Sequence, residues 1–193
     1  MVASALKSKK IIILIFLKGD ESPLCYFISI MKKTIILSSI VLLLLTNSYA
    51  QNEKQLPQLT IENLKGEQIS TSEILNAEGP TIISFWATWC KPCIMELNEM
   101  QDLYQDWQDE TNVKVIAVSV DDTRSAGIVP AFVSGKSWDF DIYLDKNSDF
   151  KRTLNISNVP YTILLDQNGD IVWIQSGYTP GDEEVLYEEL VKL

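Results

Sequence analysis

An uncharged run of six residues, Thr81–Trp86, leads through Ala87-Thr88-Trp89 into Cys90-Lys91-Pro92-Cys93, and the order of these pieces constrains the fold more than any other stretch of the chain. A short run rich in β-branched and aromatic residues reads as a buried strand. Beyond it, Ile94, Leu97, Met100, Leu103, Tyr104 and Trp107 recur mostly three or four residues apart, the period of a helix with one apolar face. Pro92 falls at an early helical position, where a missing N–H costs nothing. A second run, 113–120, apolar but for Lys114 and Ser119, then completes a strand–helix–strand unit whose long crossover requires parallel strands. A helix covering a sheet is thereby implied.

The remaining punctuation extends that unit in both directions. Residues 59–64 and Gln68–Ser70 flank Lys65-Gly66 as a β-hairpin, and Thr71-Ser72 ahead of 73–76 suggests a short capped helix. Residues 121–126 read as loop, 130–136 as a short helix, Asp141–Leu144 as a short strand and 148–154 as another helix. Residues 161–166 and 171–175 flank Gln167-Asn168-Gly169-Asp170, a hairpin signal because Asn-Gly accepts positive φ at both turn positions. A helix over 182–191 closes the chain. No internal repeat or low-complexity linker interrupts this order.

The cysteine pair carries the chemistry. Two thiols separated by two residues can act in sequence, one attacking an external disulfide and the other resolving the mixed disulfide. Cys90 stands at a helix N-terminus, where orphan N–H groups and the positive dipole end favour thiolate, moving the pKa from about 8.5 toward about 3.5 to 7.5. Cys93, one turn inside, is expected to be more buried and to resolve. Zinc is disfavoured because the chain has no histidine and three cysteines in all, the third being Cys25. Cys-His and Ser-His-Asp hydrolysis fail for the same lack. A purely structural disulfide closes so small a loop that it restricts the unfolded chain little. No metal and no cofactor beyond the Cys90/Cys93 couple is expected.

Charge and the N-terminal stretch bound the setting. Met31-Lys32-Lys33, the apolar run 34–45 and Ser48-Tyr49-Ala50 match a secretory signal with cleavage after Ala50, and residues 1–30 read as an over-extended translation start. The apolar run is short of the roughly 20 residues a spanning helix needs. Residues 51–193 form one domain holding ten basic and twenty-four acidic side chains, a formal charge of −14. That surplus argues against nucleic-acid binding. Asp182-Glu183-Glu184 reads as solvated surface at a helix start.

The stretch from Phe85 to Cys93, with Val159-Pro160-Tyr161-Thr162 ahead of the last hairpin, resembles the thioredoxin superfamily and, within it, the TlpA/ResA-like secreted thiol-disulfide oxidoreductases. Ser84 stands where thioredoxin carries a buried aspartate, Glu96 matches the glutamate three residues after the second cysteine, and 118–144 is longer than the plain thioredoxin connection. Asn98 departs from the pattern, since many relatives have proline there. The resemblance covers about 56–193. It implies a mixed central sheet with flanking helices, an N-terminal β-hairpin extension and a central insertion. It also implies a cis Val159-Pro160 bond that exposes the Val159 backbone to an extended peptide lying across the cysteines. Periplasmic or secreted protein disulfides are the implied substrates, often the haem-site cysteines of apocytochromes, and a membrane thiol protein is the implied electron donor to a soluble, monomeric domain.

Cys90, Cys93, Glu96 and Pro160 are thus the candidate catalytic residues, with Trp89, Lys91, Pro92 and Val159 meeting substrate. Glu96 lies one turn beyond Cys93, placed to relay protons to it and to tune both thiols, against the alternative of a solvated carboxylate. Lys91 favours the thiolate. Trp86, Trp107, Trp138 and Trp173 are assigned to the core and Trp89 to the apolar rim. Asn155-Ile156-Ser157 is a chance sequon. Three alternatives stay open: an oxidant or isomerase of the same fold, a non-enzymatic binding module, and a peroxidase, which would want Thr-x-x-Cys and a supporting arginine where the chain offers Thr88 and only Arg124 and Arg152.

Overall fold

The computed structural model describes Met31 and residues 55–193. The leader and Cys25 lie outside the described residues. The architecture below is that of the unit 53–193.

Seven strands make one mixed sheet: β1 Thr60–Asn63, β2 Gln68–Ser70, β3 Thr81–Trp86, β4 Lys114–Ser119, β5 Asp141–Leu144, β6 Tyr161–Leu165 and β7 Ile171–Ser176, in the spatial order β2-β1-β5-β4-β3-β6-β7. β3, β4 and β5 run parallel, while β6 and β7 on one side and β1 and β2 on the other are antiparallel to their neighbours. All six residues of β3 are buried, as the centre of a sheet covered on both faces requires. The expected hairpin extension is β1–β2. The central insertion supplies β5, which joins the sheet between β4 and β1.

The helices are α1 Lys91–Thr111, α2 Val129–Ser134, α3 Asp149–Thr153 and α4 Asp182–Leu190. α1 buries Cys93, Glu96, Leu97, Met100, Tyr104 and Trp107 along one stripe and ends at Asn112, which turns left-handed at φ 55°. The loop before β3 passes so close to that end that a Cβ on Gly79 would lie 2.4 Å from the Asn112 carbonyl oxygen. Only glycine fits there. α4 lies beside α1, with Trp107 and Tyr187 stacked at 6.0 Å. α3 covers the other face, where Phe150 meets Phe85 edge-on at 5.0 Å. Each fully buried aliphatic such as Ile82 or Leu164 contributes about 1.5–3 kcal/mol through removal from water.

Several expectations need correction. Residues 73–76 are turns rather than a helix, because Thr71 is engaged elsewhere: its hydroxyl accepts from Leu59 N at 2.9 Å and donates to the Pro57 carbonyl at 2.7 Å. The β6–β7 turn has positive φ at Gly169 and not at Asn168. Asp166 decides its shape, its carboxylate accepting from the backbone N–H groups of both Asn168 and Asp170, an arrangement that needs only one left-handed residue. The helix expected over 130–136 begins earlier, after a 3₁₀ turn Ala126–Ile128. Trp173 is half-buried rather than core, since β7 is an edge strand with Val172 and Ile174 open to solvent.

Candidate active site

Sheet register brings the candidate residues to one end of the fold. Trp86, the last residue of β3, pairs with Ser119 on β4, and Phe85 pairs with Tyr161 on β6. The chain leaving β3 toward Cys90, the chain leaving β4 through Asp121 and the chain entering β6 through Val159-Pro160 therefore converge beyond that row. The open end beyond parallel strand C-termini is where α/β folds commonly place their chemistry.

Cys90 is the N-cap of α1, and its sulfur accepts from the Cys93 backbone N–H at 3.3 Å. The two cysteines form a disulfide with their Cα atoms 5.3 Å apart. Cys93 is fully buried and Cys90 is 5% exposed, so the outer sulfur belongs to Cys90. Pro92 occupies the first helical turn, and Lys91 and Pro92 are both exposed. Trp89 is 67% exposed, an apolar ring held out beside the disulfide. The Val159-Pro160 peptide bond is cis; Pro160 is buried and Val159 half-buried.

Glu96 is not the solvated carboxylate of the alternative reading. It is buried in the contact between α1 and the sheet, where Thr162 Oγ1 donates to Oε1 at 2.7 Å and Ser84 Oγ donates to Oε2 at 3.0 Å. Ser84 and Thr162 are cross-strand partners, so a single register places both hydroxyls under the helix. Burial pushes the Glu96 pKa up to about 7 against the opposing pull of these hydrogen bonds, and the nearby Asp182 carboxylate adds to the rise. Glu96 can thus bind or release a proton near neutral pH, one helical turn from Cys93. Asp182 and Glu183, assigned to solvated surface, also line the narrow cleft over Glu96, and Glu183 accepts hydrogen bonds from the Tyr178 hydroxyl and the Gly181 N–H.

Asp121 lies in the stretch that the sequence reads as loop and is absent from the candidate site residues. It is fully buried, and three hydrogen bonds converge on its carboxylate, from Thr88 N at 2.9 Å, Thr88 Oγ1 at 2.7 Å and Ser119 Oγ at 2.8 Å. The sequence carries one signal for it, a carboxylate two residues after a largely apolar strand whose C-terminal end faces the thiols. A larger groove between α1 and α4, floored by Trp107 and Tyr187, opens some fourteen residues along α1 from Cys93, about 20 Å at the helical rise, and takes no part in this site. No group of three or more His, Cys, Asp or Glu side chains suited to a metal ion occurs among the described residues.

Comparison with known proteins gives a consistent set of likenesses. The AhpC/TSA family model matches residues 53–174. Thiol-disulfide oxidoreductase ResA of Halalkalibacterium halodurans is 31% identical over 147 residues, 76% of this chain and 78% of that protein. The protein of the same name from Oceanobacillus iheyensis is 37% identical over 109 residues, 56% of this chain and 55% of that protein. Among solved structures, a thioredoxin-like protein from Porphyromonas gingivalis is 43% identical with a TM-score of 0.65, covering 72% of this chain and 90% of that one. StoA from Bacillus subtilis is 26% identical with a TM-score of 0.55, covering 69% of this chain and 97% of that one.

Proposed function

The chain belongs to the AhpC/TSA family, and from that premise together with the site geometry we propose that it is a thiol-disulfide oxidoreductase that reduces disulfides of proteins outside the cytoplasm. The observation that carries this reading is the pair Cys90 and Cys93 at the start of α1, the first nearer the surface and the second sealed behind it.

In the reduced protein the Cys90 thiolate attacks one sulfur of a substrate disulfide, forming a mixed disulfide and expelling the other substrate sulfur as a thiolate that takes a proton from water. Cys93 then loses its proton and attacks the Cys90 sulfur, so that the Cys90–Cys93 bond forms and the second substrate thiol leaves. Two electrons and two protons pass to the substrate, and a dithiol donor restores the cysteines by the reverse exchange. Glu96 accepts the Cys93 proton in this scheme, since a carboxylate titrating near 7 is matched to the task. The Trp89 ring and the Val159 backbone receive the substrate chain, and Lys91 and Pro92 border it. A secretory leader ending near Ala50, delivery to the periplasm or cell exterior and a membrane-bound donor complete the proposal, with apocytochrome haem-site cysteines as one substrate class.

A peroxidase reading is less well supported. Arg124 pairs with Asp122 and Arg152 with Asp149 at the exposed surface, and the Thr88 hydroxyl is committed to Asp121. Rapid alkylation of the reduced protein tests the assignment of nucleophile: Cys90 should react first, with an apparent pKa below that of free cysteine, and preferential labelling of Cys93 would overturn it. Cys93→Ser should accumulate mixed disulfides with a protein substrate while Cys90→Ser should not. A parent protein unable to turn over a disulfide reporter with dithiothreitol would instead make the domain a binding module.

A further inference from the structure

The buried Asp121 network is not used by the exchange scheme, yet both of its carboxylate oxygens bond Thr88 in the segment that carries the nucleophile. Thr88 is held twice, by its N–H and by its hydroxyl, one to each carboxylate oxygen. Ser119 donates to the same carboxylate and its oxygen in turn accepts from Asp121 N at 3.1 Å, which fixes the side chain from behind. The Val120 N–H bonds the Trp86 carbonyl at 2.8 Å and the Cys90 N–H bonds the Ala87 carbonyl at 3.0 Å, so Thr88 is the middle of a turn pinned at both ends. Among the described residues no lysine or arginine pairs with Asp121. A fully buried carboxylate satisfied only by neutral donors is costly to maintain, and what it gains here is a fixed loop.

We infer that Asp121 is a positioning residue for the nucleophile: its carboxylate clamps Thr88 and so sets the turn that presents Cys90 at the α1 N-terminus and Trp89 to the substrate. The inference rests on the exchange activity proposed above. The clamp acts through Cys90, whose sulfur receives the Cys93 N–H only while Cys90 holds the N-cap position of α1. A turn free to relax moves the sulfur off that position and forfeits the stabilisation of its thiolate.

Charge and clamp make opposite demands, which makes the inference testable. Asp121→Ala removes both. Asp121→Asn removes the charge and retains the clamp, because its carbonyl still accepts from Thr88 N and its amide donates to a rotated Thr88 hydroxyl. The apparent pKa of Cys90 by alkylation and the rate with oxidised glutathione are measured on the reduced full-length protein. Asp121→Ala is expected to raise the Cys90 pKa by about one unit and, at a pH below the parent's Cys90 pKa, to lower the thiolate fraction and with it the exchange rate by up to about tenfold. Asp121→Asn should stay within about threefold of the parent. If both variants lower the pKa, the carboxylate acts through its charge and the inference falls. It falls equally if Asp121→Ala lowers the thermal midpoint while leaving pKa and rate at parent values. Should Asp121→Ala not fold, Thr88→Val removes the hydroxyl arm alone and must raise the pKa; a Thr88→Val variant indistinguishable from the parent overturns the clamp. A parent inactive toward oxidised glutathione would sink the exchange reading itself, a different failure from any of these.

Discussion

Glu96 is the residue whose behaviour depends most on its surroundings. As sequence it is an ordinary helical glutamate; in the structure it sits under two hydroxyls from adjacent strands and titrates near 7 instead of the ordinary 4.5. Because the folded value is the higher one, the folded protein retains a proton between those two pH values that the unfolded chain has released. The Glu96 contribution to stability is therefore greatest below about 4.5, declines as pH rises toward 7 and is flat above, with a total change of up to about 3 kcal/mol. Glu96→Gln has no such titration. Urea unfolding of the oxidised proteins at about pH 4.5 and about pH 8 should show the variant gaining on the parent by that order at the higher pH. A constant difference across the window would mean that Glu96 is ionised throughout. In the reduced proteins the same substitution should displace the pH profiles of both thiols, and superimposable profiles would remove Glu96 from the proton path.

At the scale of elements, α1 does more than cap the disulfide. Its outward polar residues latch the insertion: Trp138 Nε1 donates to Asn98 Oδ1 at 3.0 Å, and Gln101 exchanges bonds with Asp139, accepting from its backbone N at 2.7 Å and donating to its carboxylate at 3.0 Å. This gives Asn98, the departure from the family pattern, a positive role. α1 runs through it without interruption, and its amide holds an indole that also packs edge-on against Trp86 at 5.2 Å. Asn98→Ala should cost about 1–3 kcal/mol in denaturant unfolding, because a nearly buried indole N–H loses its acceptor. Cys90 reactivity should be unchanged. An unaltered unfolding midpoint would show that water replaces the amide without loss.

Across the whole molecule the acids dominate. Twenty-four acidic against ten basic side chains in 51–193 leave a formal charge of −14, and the ion pairs among the described residues, such as Lys114–Asp141 and Lys192–Glu189, lie at least partly in solvent. Such pairs contribute little, whereas the surplus repels itself throughout the folded volume. Raising NaCl from about 0.01 M to about 0.15 M shortens the screening length from about 30 Å to about 8 Å and should raise the thermal midpoint. A midpoint that falls with salt would mean that local pairing outweighs the net repulsion.

What was legible in the sequence was whatever is encoded locally. The apolar run Thr81–Trp86, the three-and-four spacing after Cys93 and the long crossover to 113–120 dictated the parallel core, because side-chain period and chain connectivity leave few alternatives. The absence of histidine narrowed the chemistry to thiols, and Pro92 located the helix start. The tertiary structure decided the rest. Ser84, Glu96 and Thr162 are brought together from three elements, Glu96 and Thr162 being 66 residues apart, and burial rather than residue type raises the pKa. Asp121 finds Thr88 across 33 residues, and Asp166 rather than Asn-Gly shapes the last turn. The physical reason is common to all of them: hydrogen-bond geometry and desolvation depend on which distant segments share a volume, and the local sequence pattern does not carry that information.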